Sequence, residues 1–413
     1  MVAKWRTGSW HGPGKMFTLS RMDNRDFELL VERIERAARV RPGMYKAQVF
    51  GLAVLGYAFL GAVIAVLATV IVTAMFAIRH SPALAIKLIV ALGALLLLVL
   101  RALWVKLEPP EGRILTRGDA PDVFKLLDGL RQELQTPPIH TVLLTPQFNA
   151  AVAQVPRLGL FGWHKNYLVL GLPLMQVLTR EQFKAVLAHE LGHLSHGHAR
   201  SSNWIYRLRL TWLRLEDALI HHAPPGSQVI NWFYRWYVPY FFAFSFPLAR
   251  ANEFEADEAA ARLTSPQAAS QALTNVNVVG AFLSERYWPD LYKAAVEAPP
   301  QANFTPFSKL GATALAGISE SDRKKWMDGA LKETGSVADT HPPLQERIHA
   351  MGGTAEVAVP APGQAADLLL RPALPRLLTE FDQRWNKQLA LWREQQAQKQ
   401  QVQQKVFAPA PLR

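Results

Sequence analysis

From Val49 to Ile78 the chain runs 30 residues without a charged side chain, more than the ~20 a helix needs to cross a bilayer. A second apolar run, Leu88 to Leu100, has 13 residues between Lys87 and Arg101. Alone it rises about 20 Å, too short to span. Extended to Pro82–Trp104, with Lys87 and Arg101 snorkelling toward the headgroups, it is long enough. The two runs predict a transmembrane helical hairpin over 49–105, turning at Arg79-His80-Ser81-Pro82. A cleaved signal peptide does not fit, because the first run starts too far along the chain and is too long for an h-region. Residues 1–48 hold ten Lys/Arg against five acids, and Arg101, Lys106, Arg113 and Arg117 follow the second run. Basic flanks stay cytoplasmic, so everything after the hairpin is expected to face the cytosol. The formal net charge of +12 is thereby explained by topology, and no recognisable module supports nucleic-acid binding. With no cysteine, a disulfide scaffold, zinc held by cysteines and a cysteine nucleophile are all excluded.

The rest divides readily. Leu19 to Arg41 reads as a charged amphipathic helix stopped by Pro42-Gly43, within a basic N-terminal segment of residues 1–48. After a breaker at 108–112, a helix is expected near 121–135. Strand-like runs follow at Thr141–Thr145 and Tyr167–Leu170, with Ala150–Val155 as a weaker third. Gly159, Gly162 and Gly171 punctuate them, which suggests a small antiparallel sheet. Thr179 to Ala350 is mainly helical, 352–375 reads as an Ala/Pro/Gly linker, and Leu377 to Val406 as a Gln-rich surface helix. The fold class is α+β, mostly helical, with the chemistry-bearing domain over 106–350 and a linker and tail over 351–413.

Thr179 and Gln182 form a capping box, and Phe183, Val186, Leu187, Leu191 and Leu194 recur at helical spacing, so a buried helix starts here. On it His189 and His193 project from one face, the reach needed to hold one zinc, with Glu190 beside them as general base. With 12 His and 20 Glu in 413 residues, chance supplies about 0.02 copies of H-E-x-x-H, so a third ligand has to decide. His196 and Ala199 stand where a metzincin has glycine and histidine. The alternative is a glutamate from a later helix, and Glu253 supplies it. Asp257, one turn on, shares its face and can hydrogen-bond a ligand histidine. Glu255 and Glu258 fall on other faces and are expected in solvent.

These residues, His189-Glu190-Leu-Gly-His193 and Glu253-Phe-Glu-Ala256-Asp257, resemble the M48 family of membrane zinc metallopeptidases, which includes HtpX-type proteases and the CAAX prenyl proteases. Asn149-Ala150, Leu170-Gly171-Leu172-Pro173, His196-Gly197-His198 and Thr340-His341-Pro342-Pro343-Leu344-x-x-Arg347-Ile348 extend the resemblance over roughly 110–350. It implies a gluzincin-type peptidase domain with one zinc per chain, in a protein of the bacterial inner membrane. It implies that His341 stabilises the developing oxyanion and that Arg347 braces the site, through an acid such as Asp257. Read by themselves, His196 and His198 are helix-end or supporting groups, and His221-His222 a surface loop. Two imidazoles and a carboxylate leave zinc an open position for water, whose proton Glu190 would remove. Substrate is expected to add as a strand along Asn149–Gln154, with Asn149 and Ala150 contacting it.

Val229 to Ala249 has ten aromatic residues and one charge, Arg235, and invites a third span. If it alone crossed, Glu253 and His189 would lie on opposite sides of the membrane. Asn203–Ile220, with Arg207, Arg209, Arg214, Glu216 and Asp217, is too polar to restore parity. The segment is therefore expected to pack in the domain or lie in the membrane interface, where Trp and Tyr are favoured. Together these features predict a membrane-anchored zinc endopeptidase whose partners are polypeptides, misfolded or membrane-embedded, and the lipid bilayer. The rival is a non-catalytic zinc scaffold or chaperone, which has no need of Glu190.

Overall fold

The computed structural model describes residues 22–79, 81–103, 109–156, 164–195, 227–299, 301–333, 341–357 and 364–406, with short helical pieces between 204 and 220. Asp23 caps α1 (Asn24–Val40) by accepting from Asp26 N–H at 2.7 Å. Phe27, Val31 and Ile34 form its buried stripe. The helix stops before Pro42 as the sequence predicts, with Arg41 out of helical conformation, but Pro42 also opens the next helix. It sits in the first turn of α2 (Pro42–Ala77), where the missing N–H costs nothing. A short turn leads into α3 (Pro82–Leu103), which packs back on α2. Among the described residues α2 is the one helix long and apolar enough to cross a membrane.

The sheet comprises β1 (Arg113–Leu115), β2 (Thr141–Thr145), β3 (Ala150–Pro156) and β4 (His164–Gly171), in the order β1-β2-β4-β3. It is mixed, which corrects the antiparallel expectation: β2 and β4 run parallel, while β1 on β2 and β3 on β4 are antiparallel. The cause is the crossover that carries β3 past the position of β4, so that the β3–β4 hairpin returns alongside β2. Strand periodicity does not encode such an insertion. β3 is left at the sheet's edge.

Helix α4 (Pro121–Leu134) lies between β1 and β2 in sequence, and α5 (Leu172–Val177) and α6 (Arg180–Gly192) follow β4. The aromatic segment and the Glu253 segment form one helix, α7 (Gln228–Leu263), that runs through Pro239 and Pro247. Then come α8 (Pro266–Phe282), a π-helical turn at Leu283–Tyr287, α9 (Trp288–Glu297), α10 (Pro306–Gly317), α11 (Glu320–Lys332), α12 (Leu344–Ala350), α13 (Ala365–Leu369) and α14 (Leu374–Val406).

There are two main cores. One joins a sheet face (Leu144, Leu168, Leu170) to α6, the end of α7, α8, α10 and α14. The other gathers α1, α2 as far as Leu67, Leu95 of α3, the 204–216 pieces and the aromatic half of α7. Helix α7 belongs to both. The first half of α14 is not a surface helix: Leu377, Phe381, Trp385 and Leu389 are buried in the first core. Buried Asp382 accepts from Phe307 N–H (2.7 Å), Ser308 N–H (3.3 Å) and the Ser308 hydroxyl, capping α10 from a distance. Asp382→Ala therefore strips a charged cap from buried donors and is expected to lower stability by about 2 kcal/mol. The readout is a lower denaturant midpoint with an unchanged slope.

Candidate metal centre

Helix α6 begins as the sequence predicts: Thr179 Oγ1 accepts from Gln182 N–H at 3.3 Å and Gln182 Oε1 from Thr179 N–H at 3.1 Å. Its last turn presents His189, with His193 as the C-cap. Helix α7 crosses behind it and presents Glu253 and Asp257, both buried, while Glu255 and Glu258 are exposed as expected. Gly192 allows the approach. A Cβ on it would lie 3.2 Å from the Ala256 Cα, so each helix offers its smallest surface at the contact.

The donor atoms converge. His189 Nε2 and His193 Nε2 are 3.2 Å apart, and each lies 3.6 Å from a Glu253 carboxylate oxygen. Ligands 2.0–2.1 Å from a tetrahedral zinc stand about 3.3–3.4 Å from one another, so the set fits the ion. Two further observations agree. Glu253 Oε2 is buried without a hydrogen bond, an orphan that a cation would satisfy. His189 Nδ1 lies 2.9 Å from Asp257 Oδ1, so the ring donates there and keeps its Nε2 lone pair for a metal. His193 is pushed down to about 4, by burial first and then by the neighbouring His189, so its ring is neutral and available to a metal at neutral pH.

Around these atoms stand the other candidates. Glu190 Oε2 accepts from Val152 N–H at 3.3 Å. Its carboxyl is held above the usual range, chiefly by burial and also by the charge of Glu253. His341 Nε2 reaches to 3.6 Å from Glu253 Oε2, with its side chain 58% exposed. Two prolines later α12 begins, and from it Arg347 donates to both oxygens of Asp257, at 2.8 and 2.7 Å. The five residues His189, Asp257, Arg347, Glu253 and His341 thus form one connected set drawn from α6, α7, the turn before α12 and α12 itself.

Residues 144–355 match the description of peptidase family M48. The chain belongs to that family. No curated protein and no solved structure matches it. Membership in M48 supports a metallopeptidase, and the His189–His193–Glu253 cluster could hold its metal.

In this M48 chain Asn149 and Ala150 open the edge strand. The Asn149 carbonyl accepts from Gly171 N–H at 2.7 Å, so it fastens the start of β3 to the end of β4. A Cβ at Gly171 would lie 2.0 Å from the Gln147 carbonyl oxygen, which only glycine escapes. His196, His198, His221 and His222 lie outside the described residues. Sequence reasoning did not reach the Val152 N–H or the Gly192–Ala256 contact. Ala256, a small residue about one turn after Glu253, with a glycine between the histidines, was the available signal for the second. Gly192→Leu is expected to part α6 from α7, costing about 1–3 kcal/mol and lowering metal content. Metal analysis after dialysis reads that loss.

Proposed function

We propose that this M48 peptidase is a membrane-anchored zinc endopeptidase. The observation that carries the reading is the convergence of His189 Nε2, His193 Nε2 and Glu253 within 3.2–3.6 Å, with Glu190 and His341 at its margin. His189, His193 and Glu253 would hold the ion, in a gluzincin-type domain over 106–350. A zinc ion held there supplies Lewis acidity that polarises a carbonyl and makes water nucleophilic near neutral pH. Glu190 accepts the proton as the water oxygen bonds to the scissile carbon. It returns that proton to the leaving amine as the C–N bond breaks. A raised pKa suits a group that must take a proton and give it back. His341, exposed beside Glu253, would donate to the developing oxyanion. Asp257 and Arg347 hold His189 in the productive tautomer.

The edge position of β3 supports substrate binding by strand addition. Val152 directs its N–H away from β4, toward Glu190, and in an antiparallel ladder Ala150 and Gln154 share that direction. Segments α2 and α3 would form a two-span hairpin, after a basic segment of residues 1–48, with the peptidase domain in the cytoplasm. Unfolded and membrane-inserted polypeptides are the fitting substrates. The test is zinc content and casein cleavage by detergent-solubilised protein before and after treatment with a zinc chelator. One zinc per chain, and cleavage that chelation removes and added zinc restores, support the reading. Cleavage that survives complete removal of zinc contradicts it.

A further inference from the structure

Three contacts run α7 antiparallel to the first half of α2. Tyr45 donates its hydroxyl to the Phe244 carbonyl, Tyr237 donates its hydroxyl to the Leu52 carbonyl, both at 2.7 Å, and Phe59 stacks on Phe233. Helix α7 starts at Gln228, five residues before Phe233, so its beginning stands level with the turn of α2 that follows Leu60. From Leu60 to Ala77, α2 continues without a charge for about 27 Å, close to the ~30 Å hydrocarbon thickness. The first half of α2 is therefore a stalk shared with α7, and the second half is the part that fits a bilayer.

On the outer face of α7 an apolar stripe is exposed at helical spacing: Val229 (60%), Trp232 (69%), Trp236 (52%) and Tyr240 (39%). Arg235, also exposed, stands between the two tryptophans. An outward Arg in hydrocarbon costs several kcal/mol, whereas Trp, Tyr and Arg together suit the headgroup region. The stripe also begins where the bilayer-sized part of α2 begins.

We propose that Val229, Trp232, Trp236 and Tyr240 seat α7 in the lipid headgroup layer, and that α7 then holds the metal centre at a fixed height above the membrane. The inference rests on the membrane-anchored peptidase reading and deepens it by naming a substrate class. At ~1.5 Å per residue the helix carries Glu253 about 25 Å beyond Trp236. An extended polypeptide rising from the bilayer covers about 3.3 Å per residue, so about eight residues separate the membrane surface from the bond that is cut. The substrates so defined are extramembrane tails and loops of inserted polypeptides, not bonds within the bilayer or at its surface.

The absence of cysteine makes single-site labelling direct. Trp232→Cys, Tyr240→Cys and Ala251→Cys proteins, nitroxide-labelled and reconstituted in phosphatidylcholine–phosphatidylglycerol vesicles, report depth by relaxation from lipid-soluble oxygen against an aqueous nickel chelate. The expected result is interfacial depth at 232 and full aqueous exposure at 251, with 240 between. Label 232 in water, or label 251 in lipid, would overturn the seating. In the same vesicles, one-span substrates carrying a single cleavable segment 4, 8, 12 or 16 residues from the membrane should be cut at least about tenfold more slowly at 4 than at 16. Equal rates would overturn the height. Casein added to the same preparation separates the claims: its failure to be cut contradicts the peptidase reading, while the label depths decide the seating independently.

Discussion

Glu190→Gln is expected to abolish peptide hydrolysis while leaving the metal in place. The substitution preserves the side-chain volume and an oxygen for the Val152 N–H, now 3.3 Å from Glu190 Oε2. The candidate ligands His189, His193 and Glu253 are untouched. What disappears is the carboxylate that, on the proposed reading, takes a proton from water and delivers it to the amine. A general base contributes about 10²–10⁴-fold, and loss of both proton transfers should fall at the upper end, a barrier increase of about 4–5.5 kcal/mol. The protein should not unfold in compensation. Burial holds the Glu190 carboxyl above its usual range, so its charged form is a cost to the fold that a neutral amide does not carry. The check is casein turnover beside zinc content and melting temperature: turnover lost, zinc kept, melting no lower. Turnover within tenfold of wild type would remove Glu190 from the reaction. Zinc kept with no turnover in either protein would favour a scaffold.

The second large effect is expected at Asp257, which is 2% exposed and meets His189 at 2.9 Å and Arg347 at 2.8 and 2.7 Å. Asp257→Ala leaves the Arg347 guanidinium buried without its partner, at a cost of about 3–5 kcal/mol. It also frees the His189 ring to turn, for about 10–100-fold in metal affinity. Asp257→Asn retains volume and an acceptor, and should lose less stability. Burial alone would raise this carboxyl, but Arg347 and His189 outweigh it, and its pKa lies below the ordinary value of 3.8. A carboxylate depressed on folding adds stability that is complete above its unfolded pKa, near 4, and vanishes as the pH falls through the lower folded value. In metal-free protein, wild type should therefore lose part of its advantage over Asp257→Asn as the pH drops below about 4. Denaturant midpoints across that range measure it. An advantage that grows as the pH falls below about 4 would contradict the assignment.

What could be read from the sequence is what depends on neighbours close in the chain. The capping box at Thr179 starts α6 where expected, and four-residue spacing puts His189 with His193 and Glu253 with Asp257 on shared faces. Pairing the two helices also followed from chemistry, because a zinc site needs a third ligand. Strand polarity did not follow, since the insertion of β4 between β2 and β3 is a long-range event. The three-residue strand β1 is too short to carry a period. The continuity of α7 through Pro239 and Pro247 overrides the local preference of proline, because two cores clamp the helix on either side. The burial of α14 was legible in part. Leu377, Phe381, Trp385 and Leu389 recur every fourth residue, but the glutamines around them dominate the composition.

The zinc X-ray absorption spectrum of the full-length protein tests the metal centre most directly. The structure predicts a first shell of two imidazole nitrogens and carboxylate oxygen at about 2.0–2.2 Å. In Glu253→Ala protein that shell should lose the carboxylate, along with most of the bound metal. A spectrum with one imidazole or none, or one unchanged in Glu253→Ala, would contradict the account.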